Sequence, residues 1–291
     1  EVIESPLVQQ ETVVCEICED DPPSSSDNSD KPDVRFGDWV GYNSTQSNTT
    51  WLSGGDFGML SLESLPALEL GNQSALLVGA GFHFLNGPVK PDLPPRLFDF
   101  QLAFQARKPL LPHVMLDVRA GVGAFGDFEG SARDGVRFPG HVVTYIDHQP
   151  DFATVWGIEV LDRDDITLLP VAGTIWRPHD DLVIEGVFPR PRVQLRLDPN
   201  RAFYLGAELG GGTWAIQREH SDGRVSEQTR FEDDNVTYSD VRITCGVMNF
   251  GQDHDSVLEL GWASNRSLRF RSSVGAVDLD GAFILRCHTH Y

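Results

Sequence analysis

Hydrophobic and polar residues alternate along most of this chain, from about residue 55 to the last residue. In the segment 113–125, for example, Val114, Leu116 and Val118 alternate with Asp117 and Arg119. A period of two places successive side chains on opposite faces of a β-strand, whereas a helix would repeat about every 3.6 residues. The alternation therefore predicts an all-β protein whose strands have one apolar and one polar face.

The last segment, 280–291, carries this pattern to the C-terminal residue. Its apolar face holds Phe283, Leu285 and Tyr291, and its polar face holds Arg286, His288 and His290. A terminal strand of this kind is typical of the closing strand of a transmembrane β-barrel, whose apolar face meets lipid and whose polar face lines the interior. The same pattern also suits a soluble β-sandwich, in which the apolar face packs between two sheets.

The residues on the polar faces favour the barrel over the sandwich. They combine many glycines with charges of both signs, whereas lysine, common on solvated exteriors, occurs only three times in the chain. A barrel interior needs small residues and paired charges because side chains crowd across it. Aromatic residues also gather near predicted strand ends, as in the girdles of membrane barrels. The predicted fold is a single closed, antiparallel, up-and-down transmembrane β-barrel of about twelve strands.

The charge of the chain limits its partners and its domain organisation. Its formal net charge is -20, which would repel nucleic acid. Residues 1–34 hold ten acidic residues and one basic residue, together with the stretch PPSSSDNSDKPD. This composition predicts a disordered acidic tail, followed by a barrel domain over residues 35–291. The tail lacks the layout of an export signal, so we expect that signal to have been removed already.

Two pairs of cysteines have different settings. Cys15 and Cys18 form a C-x-x-C motif in the acidic tail, which could be half a zinc site or a redox pair. No further ligand lies nearby in the tail, so a local disulfide or two free thiols is the favoured interpretation. Cys245 and Cys287 lie on the apolar faces of their strands, where they are expected to be small buried or lipid-facing residues.

The polar faces supply the candidate functional residues of the predicted lumen. We expect the following side chains to face it: Asp117, Arg119, Glu159, Glu185, Glu208, Arg242, Glu259, Arg269, Arg286, His288 and His290. Their mixed signs predict no strong preference for anions or cations.

Other clusters of reactive residue types favour structural interpretations. Asp162-Arg163-Asp164-Asp165 could bind a divalent cation but lacks the glycine and glutamate of a calcium loop, so a solvated hairpin turn is expected. His83, with His288, His290 and Glu63 or Glu69, could hold a transition metal, although a hydrogen-bond network inside the barrel is favoured. The prediction therefore includes no metal and no cofactor.

A serine hydrolase is the enzyme to consider, because some outer-membrane barrels are lipases. The chain has no G-x-S-x-G motif. Its serines lie mainly in predicted loops and in the tail, and His113 and His141 have no evident serine partner. The sequence thus predicts that the protein is not an enzyme.

Several segments resemble an uncharacterised family of outer-membrane β-barrels, a domain of unknown function that is common in planctomycete-type bacteria. The resemblance covers roughly residues 55–291 and rests on 157–181, 187–193, Phe84-Leu85-Asn86-Gly87-Pro88, Gly210-Gly211-Gly212-Thr213-Trp214 and Glu259-Leu260-Gly261-Trp262 followed by Asn265-Arg266. It implies a barrel in the outer membrane of a diderm bacterium, and it implies no activity.

Three functions remain open from the sequence. The first is an outer-membrane barrel with a polar lumen that passes or binds a small polar solute, in contact with outer-membrane lipid. The second is a non-conducting structural or assembly barrel whose acidic tail tethers an unknown periplasmic partner. The third is a soluble, secreted β-sandwich that binds carbohydrate.

Overall fold

The computed structural model describes residues 46–71, 73–87, 92–130, 134–220, 230–251, 254–272 and 275–290. The strands of this part are β1 Gln46–Leu52, β2 Gly58–Leu65, β3 Ala67–Gly71, β4 Ser74–Asn86, β5 Arg96–Leu111, β6 Val114–Gly126, β7 Val136–Arg137, β8 Gly140–Gln149, β9 Phe152–Val160, β10 Leu168–His179, β11 Leu182–Phe188, β12 Arg192–Asp198, β13 Arg201–His220, β14 Arg230–Phe250, β15 Asp255–Phe270, β16 Ala276–Leu279 and β17 Ala282–His290. The predicted tail, with Cys15 and Cys18, lies outside these residues, as does its boundary with the barrel domain. No helix in the described ranges is long and apolar enough to cross a membrane.

All of these strands belong to one sheet, and that sheet closes on itself. β1 pairs with β2 on one side and with β17 on the other, where Gln46 lies opposite His290 and Leu52 opposite Ile284. Each strand between them pairs with its neighbours in the chain, antiparallel throughout the wall. β2 and β3 both pair with β4, β7 and β8 with β6, and β16 and β17 with β15, so the ring has fourteen positions. The fold is an up-and-down β-barrel.

The predicted count of about twelve strands is wrong, because the ring has fourteen strand positions. β1 precedes the region in which the alternation was evident. The segment 181–197 forms two strands, β11 and β12, because Pro189 and Pro191 lie between them and proline cannot donate a backbone hydrogen bond to the ladder.

The apolar face of the sheet is its exposed face. Leu260, Phe283 and Trp156 are 60%, 64% and 57% exposed, whereas Asp117 and Arg286 are 0% and 8% exposed. On β4 the apolar face runs from Leu76 to Phe84, a rise of about 26 Å at roughly 3.3 Å per residue along the strand. The described strands form one ring, without the two stacked sheets of the sandwich alternative, which is therefore wrong.

Arg269 does not share the enclosed face on which it was expected. On β15, Val257, Glu259 and Ala263 are buried, but beyond Asn265 the buried positions are Arg266, Leu268 and Phe270, and Arg269 is exposed. Asn265 has a φ of 50°, and the pairing of β15 with β14 slips between Ser239 and Val241. Such a bulge adds one residue to a strand and reverses the faces beyond it.

The connections differ between the two ends of the ring. At one end, the turn end, β5 to β6, β8 to β9, β10 to β11 and β12 to β13 are each joined by two residues, and β1 begins and β17 ends there. At the other end, the loop end, successive strands are separated by more residues, as between Asn86 and Arg96, Val160 and Leu168, and His220 and Arg230. This asymmetry agrees with the short turns and long loops of membrane barrels.

Candidate functional site

Charged side chains of opposite sign are paired across the enclosed face of the barrel. Glu208 on β13 accepts hydrogen bonds from Arg242 on β14, at 3.4 Å, and from Arg286 on β17. Arg286 also forms an ion pair of 2.9 Å with Glu259 on β15, and Glu259 accepts a short hydrogen bond from Tyr204. Four of the predicted residues thus form one network on β13, β14, β15 and β17.

Two other predicted acids are paired with arginines that the sequence did not single out. Glu185 on β11 lies 3.2 Å from Arg192 on β12, its direct cross-strand partner. Glu159 on β9 lies 2.7 Å from Arg190, in the short connection between β11 and β12. The prolines beside Arg190 and Arg192 hid this hairpin, and with it the facing positions of Glu185 and Arg192.

Asp117 anchors a third polar cluster, on β5, β6 and β8. Its Oδ1 atom lies 3.3 Å from Nε2 of Gln105 and 3.2 Å from Nε2 of His141. Arg119 is half-buried on the same face of β6. In the described part of the chain, Asp117 Oδ2, Gln105 Oε1 and the hydroxyl of Tyr145 are buried without a protein partner. Buried polar atoms of this kind can hydrogen-bond to water or to a polar solute inside the barrel.

The three histidines that the sequence proposed for a metal cluster are divided between two places on the enclosed face. His288 and His290 are half-buried at the turn end of β17, with ring centroids 5.3 Å apart. His83 on β4 contacts Ser61, 2.8 Å from its Nδ1 atom, and Asp99, 2.9 Å from its Nε2 atom. Among the described residues, the groups close enough to share a metal are Glu63, His83 and Asp99, without Glu69, His288 or His290. The expected joining of His83 to the last strand is therefore wrong.

Ser61, His83 and Asp99 have the residue types of a hydrolytic triad. Ser61 is only 3% exposed and lies on the enclosed face of β2, and His83 is equally buried. A nucleophile for lipid esters would have to be reachable from the apolar outer face. This arrangement instead orients the imidazole, and the sequence missed it because it requires the register of three strands.

The C-terminal half of β13 reaches across the loop end. Most of β13 pairs with β14, but Ala215 also pairs in parallel with Gly126 on β6, which lies six positions away around the ring of fourteen. Trp214 donates a 2.6 Å hydrogen bond to Asp99 on β5, and Ile216 belongs to the same buried apolar cluster as Leu52 and Leu97. Gly211, with φ +111°, lies so close to Tyr238 that any side chain would collide with its carbonyl group. An apolar cluster therefore fills this side of the opening.

The connection 161–167, which joins β9 to β10, lies against β13 and β14 at the loop end. Arg163 is 7% exposed and donates hydrogen bonds of 3.0 Å to the carbonyl oxygen of Gly210 and 3.1 Å to that of Tyr238. Asp165 binds the same guanidinium at 2.8 Å. The predicted hairpin turn is present, since the pairing of β9 with β10 continues into a hydrogen bond from the backbone of Arg163 to that of Ile166. The expected solvation is wrong, because Arg163 is buried and docks the connection onto β13 and β14.

Asp164 ties the same connection to three further places. Its carboxylate accepts hydrogen bonds from Arg137 on β7 at 2.7 Å, from Asn235 on β14 at 3.2 Å and from Arg271 beyond β15 at 3.0 Å. Burial disfavours its charged form, but the hydrogen bonds from Arg137 and Asn235, the charge of Arg137 and the bond from Arg271 outweigh this effect. The pKa of Asp164 consequently lies below its ordinary value of 3.8.

No protein-family model matches the chain, and no curated protein matches it. Among solved structures, it is similar to the KdgM porin, with a TM-score of 0.41 at 6% sequence identity over 85% of this chain and 98% of that chain. It is also similar to the NanC porin (TM-score 0.38, 12% identity, 85% and 98% covered) and to an outer-membrane channel from Pseudomonas putida F1 (0.41, 12%, 89% and 100%). Similarity at this level adds nothing to what the strand pairings show, and the family relationship stays a prediction.

Proposed function

We propose that the protein is an outer-membrane β-barrel of a diderm bacterium that passes or binds a small polar solute through its interior. The observation that carries this proposal is the direction of the two faces. Apolar side chains such as Leu260 and Phe283 are exposed, while charges such as Asp117 and Arg286 are enclosed. A water-soluble protein would pay heavily for this arrangement, whereas lipid around the barrel makes it favourable.

The lining of the interior indicates which solutes would fit. The proposed lumen residues are Asp117, Arg119, Glu159, Glu185, Glu208, Arg242, Glu259, Arg286, His288 and His290. Two charged side chains in the ion pairs of this lining, Glu208 and Arg190, remain 25% and 35% exposed. Because four of these acids, Glu159, Glu185, Glu208 and Glu259, are each paired with an arginine, a neutral or zwitterionic polar solute suits the lining better than a strongly charged one.

The connection 161–167 is the proposed closure of the channel. Arg163 and Asp164 hold it across the loop end, so the barrel is closed in this conformation and opens when the connection lifts. Recording from the purified protein in a planar bilayer tests the channel. Brief, infrequent openings are expected, and a flat trace from correctly folded protein would exclude conduction.

The second candidate is a non-conducting structural barrel. The apolar cluster at the loop end, which includes Trp214, Ile216 and Leu52, favours it because packed side chains obstruct part of the opening. In this function the acidic tail, residues 1–34, would tether a periplasmic partner. The flat trace described above would support this candidate.

The lipid-facing role of the outer surface predicts a position-dependent effect of charge. Leu260→Arg places a guanidinium on the middle of β15 and should destabilise the folded barrel by about 2–4 kcal/mol. Leu197→Arg, one residue before the turn end of β12, is the matched control and should cost about 0–1 kcal/mol. Both leucines are well exposed, at 60% and 59%. Urea unfolding in phospholipid vesicles measures the difference, and equal effects would argue against a surrounding bilayer.

Acid should release the closure through Asp164. The folded-state pKa of Asp164 lies below 3.8. Its ionised carboxylate therefore stabilises the docked connection fully above the ordinary carboxyl range, and this stabilisation is lost as the pH falls through the lowered pKa. Open probability should therefore stay low down to about pH 4 and rise below it. Asp164→Asn should open more often at neutral pH and lose this part of the acid response. An unchanged pH profile in this variant would separate Asp164 from the closure.

A further inference from the structure

Two acidic side chains and one histidine meet on the inner wall, away from the arginine network. The ligand atoms of Glu63 on β2, His83 on β4 and Asp99 on β5 all lie within 4.8 Å of one another. Within the described residues, neither Glu63 nor Asp99 forms an ion pair with arginine or lysine, whereas Glu185, Glu208 and Glu259 all do. This part of the wall therefore holds two carboxylates whose charge no permanent cation balances.

The strand register explains why the three groups converge. Gly81 on β4 is the direct cross-strand partner of both Glu63 and Asp99, and His83 follows two residues later on the same face. A side chain at Gly81 would begin 3.3 Å from His83 Nε2 and 3.4 Å from Asp99 Oδ2. Glycine keeps this position free, so the space between the three ligand groups is open to an ion.

Neighbouring groups hold the imidazole and one carboxylate in place. The hydroxyl of Ser61 lies 2.8 Å from Nδ1 of His83, which directs Nε2 towards Asp99. The indole nitrogen of Trp214 donates a 2.6 Å hydrogen bond to Oδ1 of Asp99 and leaves Oδ2 directed towards His83. Metal-binding histidines and carboxylates are commonly oriented by outer hydrogen bonds of this kind.

We propose that Glu63, His83 and Asp99 bind a divalent transition-metal ion such as Zn²⁺. One imidazole with two carboxylates suits zinc better than Mg²⁺ or Ca²⁺, which prefer all-oxygen sites. Bonds of about 2.0–2.2 Å in a tetrahedral site separate neighbouring ligand atoms by roughly 3.3 Å. Nε2 and Oδ2, now 2.9 Å apart, need to separate only slightly, and the exposed Glu63 can rotate inwards. The two carboxylates neutralise the ion, and water completes its coordination.

Calorimetric titration of the full-length, detergent-folded, metal-stripped protein with ZnCl₂ tests the site. Cys15→Ser and Cys18→Ser form the background of every sample, because a C-x-x-C motif can bind zinc itself. One Zn²⁺ per chain is expected, with no binding of Mg²⁺ at the same concentrations. Glu63→Gln should weaken zinc binding at least tenfold and His83→Gln at least a hundredfold, whereas His288→Gln, another histidine of the inner face, should bind as the parent does.

A second measurement protects the test against misfolding. His83 is buried, so the His83→Gln variant is used only if it keeps the heat-modifiable migration on a gel that marks a folded barrel. If it does not, the Glu63→Gln variant alone tests the site, because Glu63 is exposed. With Co²⁺ as the probe, visible ligand-field absorption should appear in the parent and change in Glu63→Gln. Absence of zinc binding to the parent, or equal affinity in the parent and Glu63→Gln, would overturn the proposal. Neither result depends on whether the barrel conducts.

Discussion

Channels formed by Arg163→Gln are expected to open at least ten times more often than those of the parent protein. The substitution removes a buried guanidinium that binds the carbonyl oxygens of Gly210 and Tyr238 and the carboxylate of Asp165. A hydrogen bond to a charged group contributes about 1.5–3 kcal/mol, and about 1.4 kcal/mol corresponds to a tenfold change in an equilibrium. Losing one such bond is therefore enough to shift the connection towards its open position.

Single-channel recording at neutral pH measures this change, and Arg201→Gln is the matched control. Arg201 also pairs with a carboxylate, Asp198, at 2.9 Å, but its side chain is 61% exposed at the turn end. We expect this control to open as rarely as the parent. If Arg163→Gln conducts no more often than the control, the connection 161–167 does not close the pore.

Removal of Arg286 should produce the largest loss of stability among the lumen residues. Arg286→Met leaves Glu259, which is 4% exposed, without its cation, and takes one of two cations from Glu208. Breaking a buried ion pair by removing one partner costs about 3–5 kcal/mol, because the remaining charge is left uncompensated. The free energy of unfolding in lipid vesicles should fall by that amount.

The exposed pair of Arg201 and Asp198 again supplies the comparison. Arg201→Met should cost no more than about 1 kcal/mol, since surface ion pairs contribute little. A similar small loss for Arg286→Met would mean that water reaches Glu259 freely. The interior would then be wider than the burial of Glu259 implies.

Local alternation was sufficient to predict the class of fold and the direction of most side chains. The residues 114–119 show why: Asp117 is buried, and the apolar residues on either side of it point away from it. The same rule failed at Arg269, because a single residue of bulge near Asn265 inverts the pattern and nothing in the local composition reveals it. There Leu268 and Phe270 turn inwards, although the alternation places them outside.

Contacts between distant segments were beyond the reach of the sequence. The docking of Arg163 on Gly210 and Tyr238 joins residues separated by 47 and 75 positions, and a run of charged residues between two strands gives no sign of it. The proximity of Glu63, His83 and Asp99 likewise depends on the register of three strands. Such long-range geometry arises only once the whole ring is assembled.

The pairing of β1 with β17 joins the first described residue, Gln46, to the last, His290. The ring therefore cannot close until β17 has been made. A nascent or truncated polypeptide that stops before Ala282 would present two bare strand edges, on β1 and β15, to any neighbour. Biogenesis must shield those edges until the nine residues of β17 arrive, so we expect truncation before β17 to give aggregates rather than a smaller barrel.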